Sequence, residues 1–278
     1  MTMRGIKKIF KTKPTIEGAG VNLNRGFGFH EIPEFDPFLL FDDFSGENVS
    51  DYIAGFPWHP HRGIETVTYV LHGAVEHQDS MGNKGVIGTG SVQWMTAGSG
   101  IIHQEMPKES PGGLAGFQLW VNLPAKNKMM PPRYQDILPH DMPVIEKNGA
   151  HVRIIAGNFE GVEGPVRDLI VSPTYFDITL DADMTFVQDF PVGHTVLMYI
   201  ISGSIVEENN SVVSSGNIVL MGDGDNFSCT AGKSGVRFLL IAGKPLGEKV
   251  AWHGPIVMNT QEELALAFEE YQNGTFIK

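Results

Sequence analysis

The chain carries one β pattern twice, and that repeat constrains its fold more than any other feature. Setting Gly203 against Gly73 lays residues 196–201 over residues 66–71, with Tyr199 on Tyr69. Setting Gly216 against Gly90 lays residues 217–224 over residues 91–98. Self-similarity of this kind is the mark of two copies of one supersecondary unit. A chain of 278 residues is long enough to give each copy its own core. Thirty-three glycines and 17 prolines suit short strands joined by tight turns and do not suit a helical protein. The expected fold is therefore all-β, with one domain over residues 1–135 and a second over 136–278. The aperiodic stretch 126–133 and the Pro139 to Pro143 region connect them.

The first copy holds two short stretches that each place two strong metal ligands two residues apart. On an extended strand, residues i and i+2 share a face, so His59 with His61, and His103 with Glu105, each form a pincer. Glu65 has the same parity as His59 and His61 and is a rival carboxylate, unless Gly63 introduces a bulge that breaks the register. Three imidazoles and one carboxylate suit Fe(II), Mn, Ni, Co, Cu or Zn, and do not suit Ca or Mg, which prefer oxygen. An octahedral ion on four such ligands keeps two positions open for water, substrate or dioxygen.

The repeat makes the site one-sided. It sets Asp189 and Pro191 at the positions of His59 and His61, and Cys229 and Ala231 at those of His103 and Glu105. The second copy therefore cannot build the same centre. His77 and Asp79 lie in a turn-rich stretch and read as a structural network more than as a catalytic pair or a pair that supports the metal ligands from behind. Phe56, Trp58, Trp94 and Met95 read as core residues, those near the pincers lining an apolar pocket.

A formal net charge of −12 argues against nucleic-acid binding through a broad basic surface and against adsorption to anionic lipid. No run approaches the ~20 apolar residues of a membrane helix. With Cys229 the only cysteine, no internal disulfide exists, and a reducing cytoplasm fits. The basic N-terminus reads as a solvated first strand, because it lacks the apolar stretch of a signal peptide and the Ser and Arg enrichment of a mitochondrial presequence. Val21 and Leu23 alternate with Asn22 and Asn24 as in a half-buried strand. Asp42 and Asp43 read as a solvated turn, with support of a nearby cation as the alternative. Near the end, Thr260 and Glu263 form a capping box for one helix, whose apolar stripe is Leu264, Ala267, Phe268 and Tyr271.

At these residues the sequence resembles the pirins, members of the cupin superfamily. The match spans nearly the whole chain and is most specific at residues 56–69, 77–83, 92–105 and 254–260. The resemblance implies a bicupin, two face-to-face β-barrel or jelly-roll domains with a short C-terminal helix and with metal only in the first. It carries the ligand set onto His59, His61, His103 and Glu105, usually with iron. Gly55 and His59 lie closer together, and Glu65 and Gly73 farther apart, than in the general cupin signature, and Gly98 and Pro107 replace its Pro and Asn. Pirins share these departures, which favours Glu105 over Glu65. The activity implied is that of a quercetin 2,3-dioxygenase, opening a flavonol-like ring with O2 and releasing CO, with Glu105 as the catalytic base. Two alternatives accompany it: an iron-dependent regulatory protein acting through a protein partner, and a bicupin acting on another small molecule.

Overall fold

The computed structural model describes residues 2–207 and 210–278. The chain folds into two compact units, each discontinuous in sequence: Lys13–Pro139 joins Leu246–Lys278, and Met1–Thr12 joins His140–Pro245. The crossover lies just past the division expected at 135/136, but the two chain ends are exchanged relative to the expected domains. Their partners explain this. Strand Ile6–Lys11 pairs with Asn217–Met221, and the C-terminal helix buries Leu264 and Ala267 with Ile256, Met258 and Phe276. Both associations join segments remote in sequence, so no local pattern announces them.

The unit containing residues 13–139 is called here the histidine unit. Its seven-stranded antiparallel sheet runs, in spatial order, Arg133–Ile137, Val92–Thr96, Ile64–His72, Ala115–Asn122, Phe38–Asp43, Val21–Phe27 and Lys13–Glu17. A four-stranded antiparallel sheet runs Phe56–His61, Ile101–Pro107, Ala74–Asp79 and Lys84–Gly88. Strand Ile101–Pro107 alternates strictly between buried and half-buried residues, so Ile101, His103, Glu105 and Pro107 all face inward. Val21 and Leu23 are buried and Asn22 is exposed, as the alternation requires.

In the other, sister unit, the main sheet path is Ile6–Lys11, Asn217–Met221, Thr195–Val206, Asn226–Gly243, Thr174–Leu180, Ala150–Ala156 and Val144–Lys147. Strand Thr185–Asp189 pairs with Asn226–Gly243 beside this path. The repeat is thus visible as topology. The order 92–96, 64–72, 115–122, 38–43 recurs as 217–221, 195–206, 226–243, 174–180, and Phe56–His61 on Ile101–Pro107 recurs as Thr185–Asp189 on Asn226–Gly243. Two copies of one jelly-roll pattern make the chain an all-β bicupin closed by a C-terminal helix.

Three local expectations change. Across the ladder from Cys229 stands Phe186, while Asp189 faces Asn226, so this edge strand sits three positions from where the repeat alignment sets it. Asp42 is buried within a strand, not in a solvated turn, and takes Nε and Nη2 of Arg25 at 2.9 and 2.8 Å. A buried carboxylate needs such a fork of donors. Tyr271 stays 38% exposed, so the helix stripe is narrower than its sequence pattern. The Thr260 and Glu263 capping box forms as expected.

Candidate metal centre

The centre begins with two glycines. Gly63 ends the strand of His59 and His61, with φ 78°, and a Cβ there would fall 1.9 Å from the Val257 carbonyl oxygen. Gly98 precedes the strand of His103, with φ 52°, and its Cβ would fall 2.1 Å from the Met130 carbonyl oxygen. Only glycine fits either place. The two bends are tied directly, Gly63 N–H donating to the Gly98 carbonyl at 2.9 Å. From this junction the strands run antiparallel, with His59 opposite His103 and His61 opposite Ile101, and a register shift between His103 and Glu105 sets Glu105 opposite Phe56.

This ladder gathers the three imidazoles. Nε2 of His59 lies 3.1 Å from Nε2 of His61 and 2.9 Å from Nε2 of His103. The three form a group whose ligand atoms all lie within 4.8 Å of one another, the one such group among the described residues. Nitrogens about 2.1 Å from a shared ion and at right angles to each other stand roughly 3.0 Å apart, so the two short separations fit a common ion. Nδ1 of His59 faces the Pro57 carbonyl at 2.8 Å and Nδ1 of His61 faces the Pro255 carbonyl at 3.2 Å. Each carbonyl accepts a proton held on Nδ1 and leaves the Nε2 lone pair for a metal. Burial, then the neighbouring imidazole of His59, holds His61 well below the ordinary histidine range. Burial, followed by His61, His59 and His77, does the same to His103. Neutral imidazoles are the form that binds metal.

Glu105 lies beside this cluster and is not part of the three-nitrogen group. Its Oε1 accepts from Thr68 Oγ1 at 3.1 Å and its Oε2 from Gln118 Nε2 at 3.2 Å. Gln118 Oε1 in turn accepts from Trp120 Nε1 at 3.2 Å. Glu65 is placed elsewhere: Thr68 points toward Glu105, so by strand parity Glu65 points to the opposite face of its strand, where Oε1 accepts from Thr96 Oγ1 at 2.7 Å. Burial raises the Glu65 carboxyl above its ordinary range, opposed by the bond from Thr96. The Gly63 bend separates its register from that of His59 and His61.

Two buried cations brace the junction from behind. Arg62, 2% exposed, donates through Nε to Ser99 O at 2.7 Å, through Nη1 to Glu270 at 2.6 Å and through Nη2 to Phe276 O at 2.8 Å. Lys128 Nζ donates to Asn122 Oδ1, Gly63 O and Val257 O at 2.7, 2.9 and 3.1 Å. Burial pulls this ammonium down to about 7, against the upward effect of Glu248 and Glu263.

A cavity of about 580 Å³ opens onto His59, His61 and Glu105, with Phe29, Phe56, Trp120 and Trp252 among its walls. That volume is in the small-molecule range, ~300–1,000 Å³. Of the apolar residues expected in the core near the pincers, Phe56 lines the cavity, Trp94 and Met95 are core, and Trp58 is 47% exposed. Sequence reasoning missed Thr68, Gln118, Trp120 and Trp252. Thr68 and Gln118 lie on two strands of the seven-stranded sheet and Glu105 on the four-stranded one, so no spacing along a single strand pointed to them. Trp252 had no local signal, being brought in by the returning C-terminal segment.

Residues 20–121 match the Pirin family model, and residues 175–277 match the Pirin C-terminal cupin domain. A pirin-like protein of Caulobacter vibrioides is 44% identical, the match covering 99% of this chain and 100% of that protein. A crystal structure of quercetin 2,3-dioxygenase from Acinetobacter baumannii superposes with TM-score 0.88 at 33% identity, covering 99% of this chain and 98% of that one. A bacterial pirin from Escherichia coli, crystallised in complex with nickel(II), superposes with TM-score 0.64 at 25% identity over 86% of this chain and 98% of that one. Two domain matches, 44% identity along the whole length of a pirin-like relative and, among the described residues, one three-imidazole group converge on one conclusion: the chain belongs to the pirin family.

Proposed function

We propose that the protein is a metal-dependent dioxygenase that opens the ring of a flavonol-like substrate such as quercetin with O2 and releases CO. The cavity carries this reading, because its aromatic walls end at His59, His61 and Glu105. The likeness to the Acinetobacter baumannii quercetin 2,3-dioxygenase supports it. His59, His61 and His103 would hold one divalent ion, with Glu105 as a fourth ligand. A bound ion, Fe(II) first and Mn, Ni, Co, Cu or Zn as alternatives, supplies Lewis acidity toward the substrate's 3-hydroxyl and carbonyl oxygens and activation of dioxygen.

The chain's own residues do the rest. Trp120 and Trp252, with ring centroids 5.6 Å apart, offer apolar faces to the flat substrate. Glu105 takes the proton of the 3-hydroxyl as general base. Thr68 and Gln118 keep its carboxylate oriented beside the imidazoles while it does so. The reading suits a reducing compartment such as the cytoplasm, where ferrous iron and the free thiol of Cys229 both persist. Among the described residues no helix is long and apolar enough to cross a membrane.

The test is to load the protein with Fe(II), add quercetin under air, and follow loss of visible absorbance together with CO. No turnover with Fe, Mn, Ni, Co or Cu removes the reading. Glu105→Gln should impair metal binding or turnover more than Glu65→Gln does, and equal metal content and activity in the Glu105 variant would remove its assigned role.

A further inference from the structure

Two of the three imidazoles at the centre have their tautomer set by a backbone carbonyl. The third does not. His103 is 1% exposed, its Nε2 faces His59, and its Nδ1 is buried with no protein partner. For Nε2 to present a lone pair to a metal, Nδ1 must hold the proton, and a buried N–H left without an acceptor is destabilising. Something behind the ring must accept it.

His77 stands there. Its strand runs beside that of His103, with His77 directly opposite Glu105 and Asp79 directly opposite His103. The His77 and His103 ring centroids are 5.3 Å apart at an interplanar angle of 60°. His77 is 2% exposed, and neither of its ring nitrogens has a protein partner. Asp79 does not serve it: its carboxylate accepts from Met81 N, Asn83 N and Asn83 Nδ2, and stands 4.0 Å from His77 Nε2. On the far side, the Tyr134 ring packs at 4.8 Å from that of His77. Three buried nitrogens without protein partners, on two adjoining rings, are the surroundings in which proteins hold ordered water.

We propose that His77 is a positioning residue for His103. A water bridging these two rings accepts a hydrogen bond from His103 Nδ1–H and donates to a ring nitrogen of His77. This sets the His103 tautomer as the two carbonyls set those of His59 and His61. It also gives a role to the stretch His77 to Asn83, in which Asp79 shapes the turn and His77 serves the metal. The inference rests on the three imidazoles being the metal centre.

Cobalt(II) titration of the wild type, His77→Phe and His77→Gln, with the visible Co(II) absorption bands recorded throughout, tests it. His77→Phe should weaken Co(II) binding about 10- to 100-fold, the usual effect of losing an outer hydrogen bond, and shift the bands. His77→Gln, which keeps an acceptor, should recover most of the affinity. Wild-type affinity and spectrum in His77→Phe overturn the proposal while leaving the metal centre standing. Failure of the wild type to bind Co(II) through His103 removes the centre and the proposal with it. Should both variants fail to fold, a high-resolution crystal structure of the metal-loaded wild type decides: a water within hydrogen-bond distance of His103 Nδ1 and a His77 nitrogen supports the proposal, and its absence overturns it.

Discussion

At the same place in the same ladder, one unit sets His59 across from His103 and the other sets Phe186 across from Cys229. The surroundings follow suit. In the sister unit a single apolar cluster runs through Phe176, Phe186, Phe227 and Phe238 and includes Cys229, whose thiol burial pushes far above the ordinary range. The histidine unit has an apolar core of its own, in which Phe27 stacks on Phe35 and Phe41, and Phe41 on Phe117. It also buries a set of polar residues, among them His61, Thr68, His77, Asp79, His103 and Glu105. The strand order alone therefore does not decide whether a jelly-roll interior is filled by apolar side chains or keeps a group of buried polar ones. That decision rests on a few inward positions of the two edge-sheet strands, and polar residues there are accepted at a cost in packing.

The comparison can be broken most directly at the ligands. His103→Ala should abolish stoichiometric Fe(II) or Co(II) binding, a larger loss than the ~10–100-fold of an outer-shell change, while Cys229→Ala should leave metal content unchanged. Elemental analysis of both purified variants checks this, and metal loss in the Cys229 variant would falsify the one-sided assignment. Next in size, Phe186→Ala should cost about 3–5 kcal/mol by opening a cavity in the sister core, with metal content again intact; denaturant unfolding beside metal analysis separates the two effects.

Glycine offers a matched pair. A Cβ on Gly63 would strike the Val257 carbonyl at 1.9 Å, and one on Gly203 would strike the Gly235 carbonyl at 2.2 Å. Both residues have positive φ. Each change to Ala should destabilise by about 3 kcal/mol, but only Gly63→Ala should also reduce metal affinity. Equal affinity in the two variants would show that the Gly63 bend does not hold the ligands.

The smallest effect is a pH dependence carried by the histidine unit. Lys128 has a folded pKa pulled from 10.5 to about 7. Between these values the unfolded chain binds more protons than the folded one, so stability rises with pH through this window. Below about 7 the full cost of burying the charge remains. The slope should approach about 1.4 kcal/mol per pH unit near the middle of the window and vanish in Lys128→Met. Urea unfolding at pH 7, 8 and 9 measures it, and a flat wild-type profile would show that the three oxygens around Nζ keep the ammonium charged.

Much of this contrast was legible in the chain itself. Period-two alternation located His59, His61, His103 and Glu105 on shared faces, and the repeat displayed a copy in which other residues hold those positions. Features that join remote segments were not legible. Arg25 and Asp42 find each other across adjacent strands, and two consecutive aspartates look like a turn until that partner is known. Trp252 and Pro255 reach the site only because the end of the chain returns to the histidine unit. The three-position offset of Phe186 relative to the repeat alignment had no signal either, since an edge strand can slide along its neighbour where loop length permits. His77 was visible as part of a motif, but its relation to His103 depends on neighbouring strands, and turn chemistry around Asp79 accounted for the motif's composition without it.

The Arg62 clamp has a consequence in time as well as in space. The strand of His59 and His61 is synthesised early, yet the guanidinium beside it finds its carboxylate at Glu270 and a carbonyl at Phe276. Until those residues leave the ribosome, a side chain destined to be 2% exposed has no anion to neutralise it. The ligand strands can pair during translation, but their backing is completed only by residues made more than 200 positions later. A nascent chain stopped short of Glu270 would carry all three imidazoles without the support that holds them in place.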